Sequence, residues 1–431
     1  MCSCAIGKNT LKILDFNENP LVTVRSDRTV KKNENKTYLE IVINEAVEIL
    51  ADSQQISEKD AKKKLYKGGY TVYSAFDKEV NEKLSEVCSK TDKLTDVAAV
   101  ITDLNAHIIA AYGSDTGKKG TNLATAPSPP CSALKPLSVY APAIDNGNIN
   151  WSSRYEDSPY TYIKNLEGVQ RPWPYNATGV YSKRYVYIHQ AVMESLNTVA
   201  VKCLSDYGIE NSLKFLEESF EIPLDAEKKI VENSDYEQII GNLALGALVD
   251  GVSPLDMAGY YQIFANGGKY QEPKAVTKIC DNSGKIIYSQ EYNPKQVIKK
   301  STAEIMNHML KEVISPAGTG KNAICENVEV AGKTGTDDNF KNNWFVGVTP
   351  EYSCAFWHGR NSQNITTQIF SDTITSIYDS KKDYKKDFYY SSGLKQIAYC
   401  TESAKQFKAG CSLINMGYYE PNNVPGICDR H

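Results

Sequence analysis

At 431 residues, 41% hydrophobic and 23% charged, the chain has the make-up of a globular protein of about two or three domains and can bury a large core. A net charge of −4 gives no field suited to nucleic acid, and the basic cluster Lys381 to Lys386 is broken by Asp383 and reads as a solvated face. No apolar run approaches the ~18 residues that a membrane helix needs, and no signal-peptide core opens the chain.

Residues 1 to about 36 read as a polar lead-in without periodicity. Apolar residues from Tyr38 to Leu50 recur at helical spacing. Ser57 with Asp60 predicts a second helix start, and Gly68-Gly69 its end. Tyr70 to Phe76 alternates as a strand, after which Asp77 caps a helix running through Val87. Val97 to Ile101 and His107 to Tyr112 flank the turn-prone Asp103-Leu-Asn105, which predicts a hairpin. A loop ending at Pro129-Pro130 follows. Helical patterns cover 132–144, 185–204, 211–219, 254–265 and 302–314, the last announced by Ser301 and Glu304 as a capping box. Asn343 to Thr349 and Tyr352 to Gly359 form a second hairpin across Pro350-Glu351. Strands at both ends with helices between predict an α+β fold around one mixed sheet. The Tyr-rich stretch from 377 onward reads as a small appendage.

Eleven cysteines and five histidines are scattered. Cys2 and Cys4 have no partner pair at zinc spacing, and no metal site is expected. Cys400, Cys411 and Cys428 could contain a disulfide in an oxidising compartment, with the pairing open.

Three short motifs carry chemistry. Ser132-Ala-Leu-Lys135 follows Pro129-Pro130, and on a helix positions i and i+3 share a face, so the Lys135 amine can reach the Ser132 hydroxyl. A serine becomes a nucleophile when a base takes its proton, and a lysine of depressed pKa serves. Pro136 fits a helix start. Ser195-Leu-Asn197 offers a second hydroxyl beside a carboxamide. Lys333-Thr-Gly-Thr336 occurs once, before a strand. There, Gly335 would let a substrate backbone approach, and Lys333, Thr334 and Thr336 would hold a carboxylate. Singly the first two are weak, since Ser392-Gly-Leu-Lys395 and Ser362-Gln-Asn364 match them. Their order is specific: Ser-x-x-Lys, Ser-x-Asn and Lys-Thr-Gly at 132, 195 and 333, with both decoys falling after Lys333.

These stretches, with Gly251-Val-Ser-Pro-Leu-Asp-Met-Ala258, Phe264-Ala-Asn-Gly-Gly268 and Trp344-Phe-Val-Gly347, resemble class A penicillin-binding proteins over roughly residues 65 to 360. The resemblance implies an antiparallel five-stranded sheet flanked by helices, plus a helical lobe, with the site between them. It divides the chain into a lead-in and linker (1–69), a transpeptidase domain (70–360) and an extension (361–431). It implies that Ser132 attacks the penultimate D-alanine carbonyl of a peptidoglycan stem peptide and that Lys135 is the base. Ser195 would relay the proton, Asn197 hold the substrate amide, and Lys333, Thr334, Gly335 and Thr336 bind the carboxylate end. The backbone N–H groups of Ser132 and Thr336 would form the oxyanion hole. β-Lactams would acylate the same serine, with no cofactor, metal or nucleic acid.

The chain departs from the pattern at Cys131, where glycine is common, at Ala133-Leu134 in place of Thr-Phe, and at Asp337-Asp338, where threonine or serine is usual. The expected membrane anchor and glycosyltransferase domain lie outside this sequence, as in a fragment or truncated product. Placement at the outer face of the bacterial cytoplasmic membrane would then depend on a missing N-terminal segment or a partner. Two other readings compete: a D,D-carboxypeptidase or serine β-lactamase, in which water replaces the amine, and a β-lactam-sensing or structural domain without turnover.

Overall fold

The computed structural model describes residues 10–25, 35–91, 96–114, 121–164, 168–233, 235–359 and 365–431. Its centre is a five-stranded, fully antiparallel sheet in the order Ala331–Thr336, Asn343–Val348, Tyr352–His358, Val97–Asp103 and Ile108–Gly113. Both predicted hairpins are present within it. Both faces of this sheet are covered, so its strands read as unbroken apolar runs rather than alternating ones. Alternation still sorts the side chains. Trp344, Val346 and Ala355 join one core, while Phe345, Cys354 and Phe356 join another, under the helices Lys78–Thr91 and Thr366–Ser380. On the first face the helix Pro254–Tyr261 crosses the sheet, and its Ala258 carbonyl accepts from the Ser353 hydroxyl at 2.6 Å.

The polar lead-in is corrected. Thr10–Leu14 and Pro20–Arg25 are strands in a second five-stranded sheet, where Ile13 pairs in parallel with Val72. Leu11 and Ile13 are buried in the main core. A strand of five residues has too little length to show periodicity; it pairs on one side with the adjacent Pro20–Arg25 and on the other with Thr71–Ser74, more than fifty residues away. The boundary expected near residue 69 therefore cuts through a sheet, and in place of one mixed sheet the described residues form two five-stranded sheets and four two-stranded ones.

Helix ends follow local chemistry where a cap exists. The Ser57 hydroxyl accepts from the Asp60 N–H and starts Glu58–Lys67, and Asp77 accepts from the Val80 N–H at 3.1 Å. The box expected at Ser301 and Glu304 does not form: Lys300–Ile314 has Lys299 at its cap position, and the Glu304 carboxylate accepts instead from the Ser391 and Ser392 N–H groups. A real capping box lies at Ser253 and Asp256.

The appendage reading is also corrected. The hairpin Lys395–Cys400 and Ile414–Tyr419 places Tyr399 and Tyr419 in the main core, and Tyr418 stacks on His308 at 3.8 Å. The expected solvated face fits Lys382, Lys385 and Lys386, which are exposed, but Lys381 pairs with Glu351 at 2.8 Å. Among the described residues no helix is long and apolar enough to cross a membrane.

If the first strand is part of the folded body, Leu11→Ala should lower the unfolding free energy by about 2–4 kcal/mol, the usual cost of a core cavity. Urea denaturation measures this, and an unchanged midpoint would restore the detached lead-in.

Candidate active site

Two prolines and two glycines fix the loop that carries Ser132. The Trp344 indole N–H donates to the Pro129 carbonyl at 2.9 Å, and the Cys131 N–H donates to the Gly246 carbonyl at 3.0 Å. Cys131 itself sits at φ +52°, in the left-handed region where glycine is at home. A Cβ on Gly246 would lie 1.9 Å from the Cys131 carbonyl oxygen, so no side chain fits there. The expected continuous helix over 132–144 is instead a 3-10 turn at Cys131–Leu134, a π turn at Pro136–Tyr140 and an α segment at Ala141–Asp145. Pro136 and Pro142 each lack an N–H, which breaks the regular ladder. The result leaves Ser132 half-buried at the first turn, with Lys135 fully buried behind it.

The pattern over 185–204 breaks as well, at the residue that matters. Ile188–Glu194 and Asn197–Tyr207 are separate helices, and Ser195 between them is left-handed at φ +59°. That kink turns the carbonyl and the hydroxyl of Ser195 toward different lysines. Lys135 Nζ donates to the Ser195 carbonyl at 2.9 Å and to Asn197 Oδ1 at 2.6 Å. Lys333 Nζ donates to the Ser195 hydroxyl at 2.8 Å and to the Thr334 carbonyl at 3.1 Å. Ser132, Lys135, Ser195, Asn197 and Lys333 are thus gathered from three distant segments.

Both amines are fully buried and held by neutral oxygens. Burial lowers the pKa of Lys135 well below the ordinary lysine range, and the neighbouring Lys333 charge lowers it further. Burial pulls Lys333 down to about 7. A neutral amine has two N–H donors and one lone pair. In Lys135 the two acceptors take the two N–H groups, which leaves the lone pair to take a proton.

Ala331–Thr336 is the edge of the central sheet and lies against the Cys131–Leu134 turn. A Cβ on Gly335 would come within 2.6 Å of the Pro130 carbonyl, so glycine is required for this approach. Thr334 Oγ1 lies 2.8 Å from Thr319 Oγ1, a hydroxyl that the motif reading missed. Asp337 belongs to the turn beyond the strand, where its carboxylate accepts from the Lys341 N–H at 2.8 Å and from Asn342 Nδ2 at 2.9 Å. Asp338 is exposed.

The decoys separate from the site. The Ser392 hydroxyl hydrogen-bonds Glu304, and Ser362-Gln-Asn364 lies outside the described residues. Burial, with Asp337 and Asp338 nearby, pushes the Cys131 thiol far above the ordinary range, which disfavours a reactive thiolate there.

Sequence reasoning also missed the support beneath Ser195. Asn176 Oδ1 accepts from the Asn197 N–H at 2.9 Å, and its amide donates to Asp157 at 2.7 Å. Asp157 also accepts from the Thr198 hydroxyl and the Ser182 N–H, each at 2.7 Å. Asn197 Nδ2 donates to the Tyr175 carbonyl at 2.6 Å, which fixes the orientation of the carboxamide. No local pattern announces Asp157 or Asn176, since each acts from about twenty to forty residues upstream.

The family model for the penicillin binding protein transpeptidase domain matches residues 97–365. The chain belongs to this family. Penicillin-binding protein 1A of Clostridium botulinum is 32% identical over 366 residues, spanning 81% of this chain and 42% of that protein. The chain therefore spans less than half the length of that relative. Among solved structures, the D,D-transpeptidase domain of a peptidoglycan glycosyltransferase from Eggerthella lenta superposes with TM-score 0.66 at 16% identity, covering 86% of this chain and 99% of that one. The PonA1 protein of Mycobacterium tuberculosis in complex with penicillin V superposes with TM-score 0.63 at 19% identity, covering 82% and 95%. These two show the same α+β fold.

Burial raises the Asp157 carboxyl, but its hydrogen bonds outweigh burial and hold it below the ordinary range. Asp157→Ala should lower unfolding stability by about 1–3 kcal/mol by stranding buried donors. It should also slow serine acylation by at least ~10-fold, equivalent to about 1.4 kcal/mol of misplacement. A depressed carboxyl stabilises above its unfolded pKa and loses that contribution as pH falls through the folded value. The stability gap between the two proteins should therefore close in acid, as thermal melts at several pH values would show.

Proposed function

We propose that this chain is a serine D,D-transpeptidase that cross-links peptidoglycan stem peptides and is acylated by β-lactams at Ser132. The observation that carries this reading is the meeting of Lys135 and Lys333 on Ser195 beside the Ser132 turn. A structural lysine would pair with a carboxylate or reach solvent, whereas among the described residues neither of these two has a carboxylate partner and both are fully buried.

In the proposed reaction Ser132 Oγ attacks the carbonyl of the penultimate D-alanine, and its proton passes to Lys135 Nζ. The Ser132 and Thr336 N–H groups receive the developing oxyanion, where fixed donors contribute most to acyl transfer. Collapse breaks the peptide bond, and the proton moves from Lys135 through the Ser195 hydroxyl to the departing D-alanine amine. An amine from a second stem peptide then attacks the acyl-serine, restoring Ser132 and leaving the new amide cross-link. Asn197 holds the donor amide. Lys333, Thr334 and Thr336 receive its carboxylate, with the substrate backbone laid along the edge strand at Gly335. With β-lactams the ring amide opens and the acyl group stays on Ser132. The bacterial cell-wall setting of the relatives supports placing this reaction at the outer face of the cytoplasmic membrane.

A fluorescent penicillin should label the protein covalently, lose more than ~99% of labelling in Ser132→Ala, the scale of a lost nucleophile or base, and keep it in Ser392→Ala. Intact-mass evidence of attachment to any other residue would sink the assignment. Incubation with a D-Ala-D-Ala peptide and an amine acceptor should yield the amide, and hydrolysis alone would favour a carboxypeptidase instead.

A further inference from the structure

Four side chains that this reaction does not use converge in the C-terminal extension. Cys400 ends the first strand of the hairpin Lys395–Cys400 and Ile414–Tyr419, Cys411 lies in the connection between its strands, and Cys428-Asp-Arg-His431 returns beside them. The three sulfur atoms and a ring nitrogen of His431 all lie within 4.8 Å of one another. Thiolate sulfurs bound tetrahedrally at about 2.3 Å sit roughly 3.8 Å apart, so closing this group on an ion takes a movement of about 1 Å at most. All three cysteines are free thiols, so no disulfide accounts for their meeting.

We propose that Cys400, Cys411, Cys428 and His431 bind one Zn2+ ion, as a closed structural site that fastens the extension to the transpeptidase body. The donor set favours this ion, since three thiolates and an imidazole suit zinc, whereas magnesium and calcium take oxygen. The surroundings supply what metal ligands require. The Ser403 hydroxyl donates to Cys428 Sγ at 3.3 Å. The Glu402 carboxylate holds His431 Nε2 at 3.2 Å, the kind of carboxylate partner that orients a ligating imidazole. A disulfide would use two of the thiols and leave the third, and the histidine, without a reason to be there. The segment also needs a staple. Tyr419 is buried, but Leu413, Ile414, Met416 and Ile427 are all exposed, so the connection around Cys411 and the end of the chain have few apolar anchors of their own.

The turn that carries Cys400 is also where the extension meets the active-site lobe. The Thr401 carbonyl accepts from the Tyr187 hydroxyl at 2.5 Å, the Ala404 carbonyl from Ser152 Oγ at 2.8 Å, and the Glu402 carbonyl from Arg154 at 2.9 Å. Tyr187 immediately precedes the helix that ends at Ser195. An ion that rigidifies residues 400–404 therefore braces the base of that helix.

The test uses the full chain purified without chelator. Elemental analysis should find about one zinc per chain, and cobalt reconstitution should give thiolate charge-transfer and tetrahedral d–d bands. Chelation should expose three more reactive thiols and lower the melting temperature. In Cys411→Ser and His431→Ala the metal content should fall, and chelator should cause little further loss of stability. Three results would overturn the site: an intact mass showing a disulfide among these cysteines in the protein as isolated, equal thiol reactivity with and without chelator in zinc-supplemented protein, or a chelator effect undiminished in both variants. None of these readouts depends on the Ser132 reaction.

Discussion

The candidate site rests on one electrostatic constraint: two lysine amines are buried around a single serine, with no carboxylate among the described residues paired to either. Taking an unpaired ammonium out of water costs several kcal/mol, and a protein meets that cost by keeping the group neutral. Placing a second amine nearby makes double protonation costlier still, so the pair divides its roles. Lys135 is pushed well below the ordinary lysine range with the Lys333 charge adding to its burial, while Lys333 is drawn to about 7. Under the proposed function, one arrangement would thus supply both a base and an anion site. Had either lysine acquired an aspartate partner, its pKa would rise and the division would be lost.

Holding that arrangement falls to backbone features that admit few alternatives. Cys131 and Ser195 both occupy left-handed conformations, and Gly246 and Gly335 each stand where an added Cβ would strike the nucleophile loop. Strain of this kind persists only where surrounding contacts over-determine it. The Asp157–Asn176–Thr198 network does so beneath Ser195, and the Trp344 indole does so above Pro129. A cysteine at position 131 in place of the glycine usual there is consistent with this tight fixation, since its thiol is tied to the Pro129 carbonyl at 3.4 Å.

What could be read from the sequence was local. The ordered motifs at 132, 195 and 333, the hairpin turn after Asp103, and the Ser57 and Asp77 caps each depend on neighbours within a few residues. Ser195 shows the limit: helical periodicity runs through it unbroken, yet the chain turns there because the carbonyl and hydroxyl face separate lysines. The strands Thr10–Leu14 and Pro20–Arg25 were hidden because each is too short to show a period, and the pairing that anchors their hairpin, to Thr71–Ser74, lies more than fifty residues away. Glu304 left its expected cap because Ser391 and Ser392, nearly ninety residues later, offered it N–H donors. Cys400, Cys411, Cys428 and His431 match no compact zinc spacing, and only the folded hairpin assembles them.

The most direct test of the central claim is the protonation state of the two lysines. Carbon-13 labelling at lysine Cε, with Lys135→Arg and Lys333→Arg for assignment, permits a titration by NMR on the unmodified active site. The account predicts that the Lys135 signal titrates well below the ordinary lysine range, and the Lys333 signal near about 7. Signals for both lysines that stay protonated up to the ordinary lysine range, near pH ~10, would contradict it.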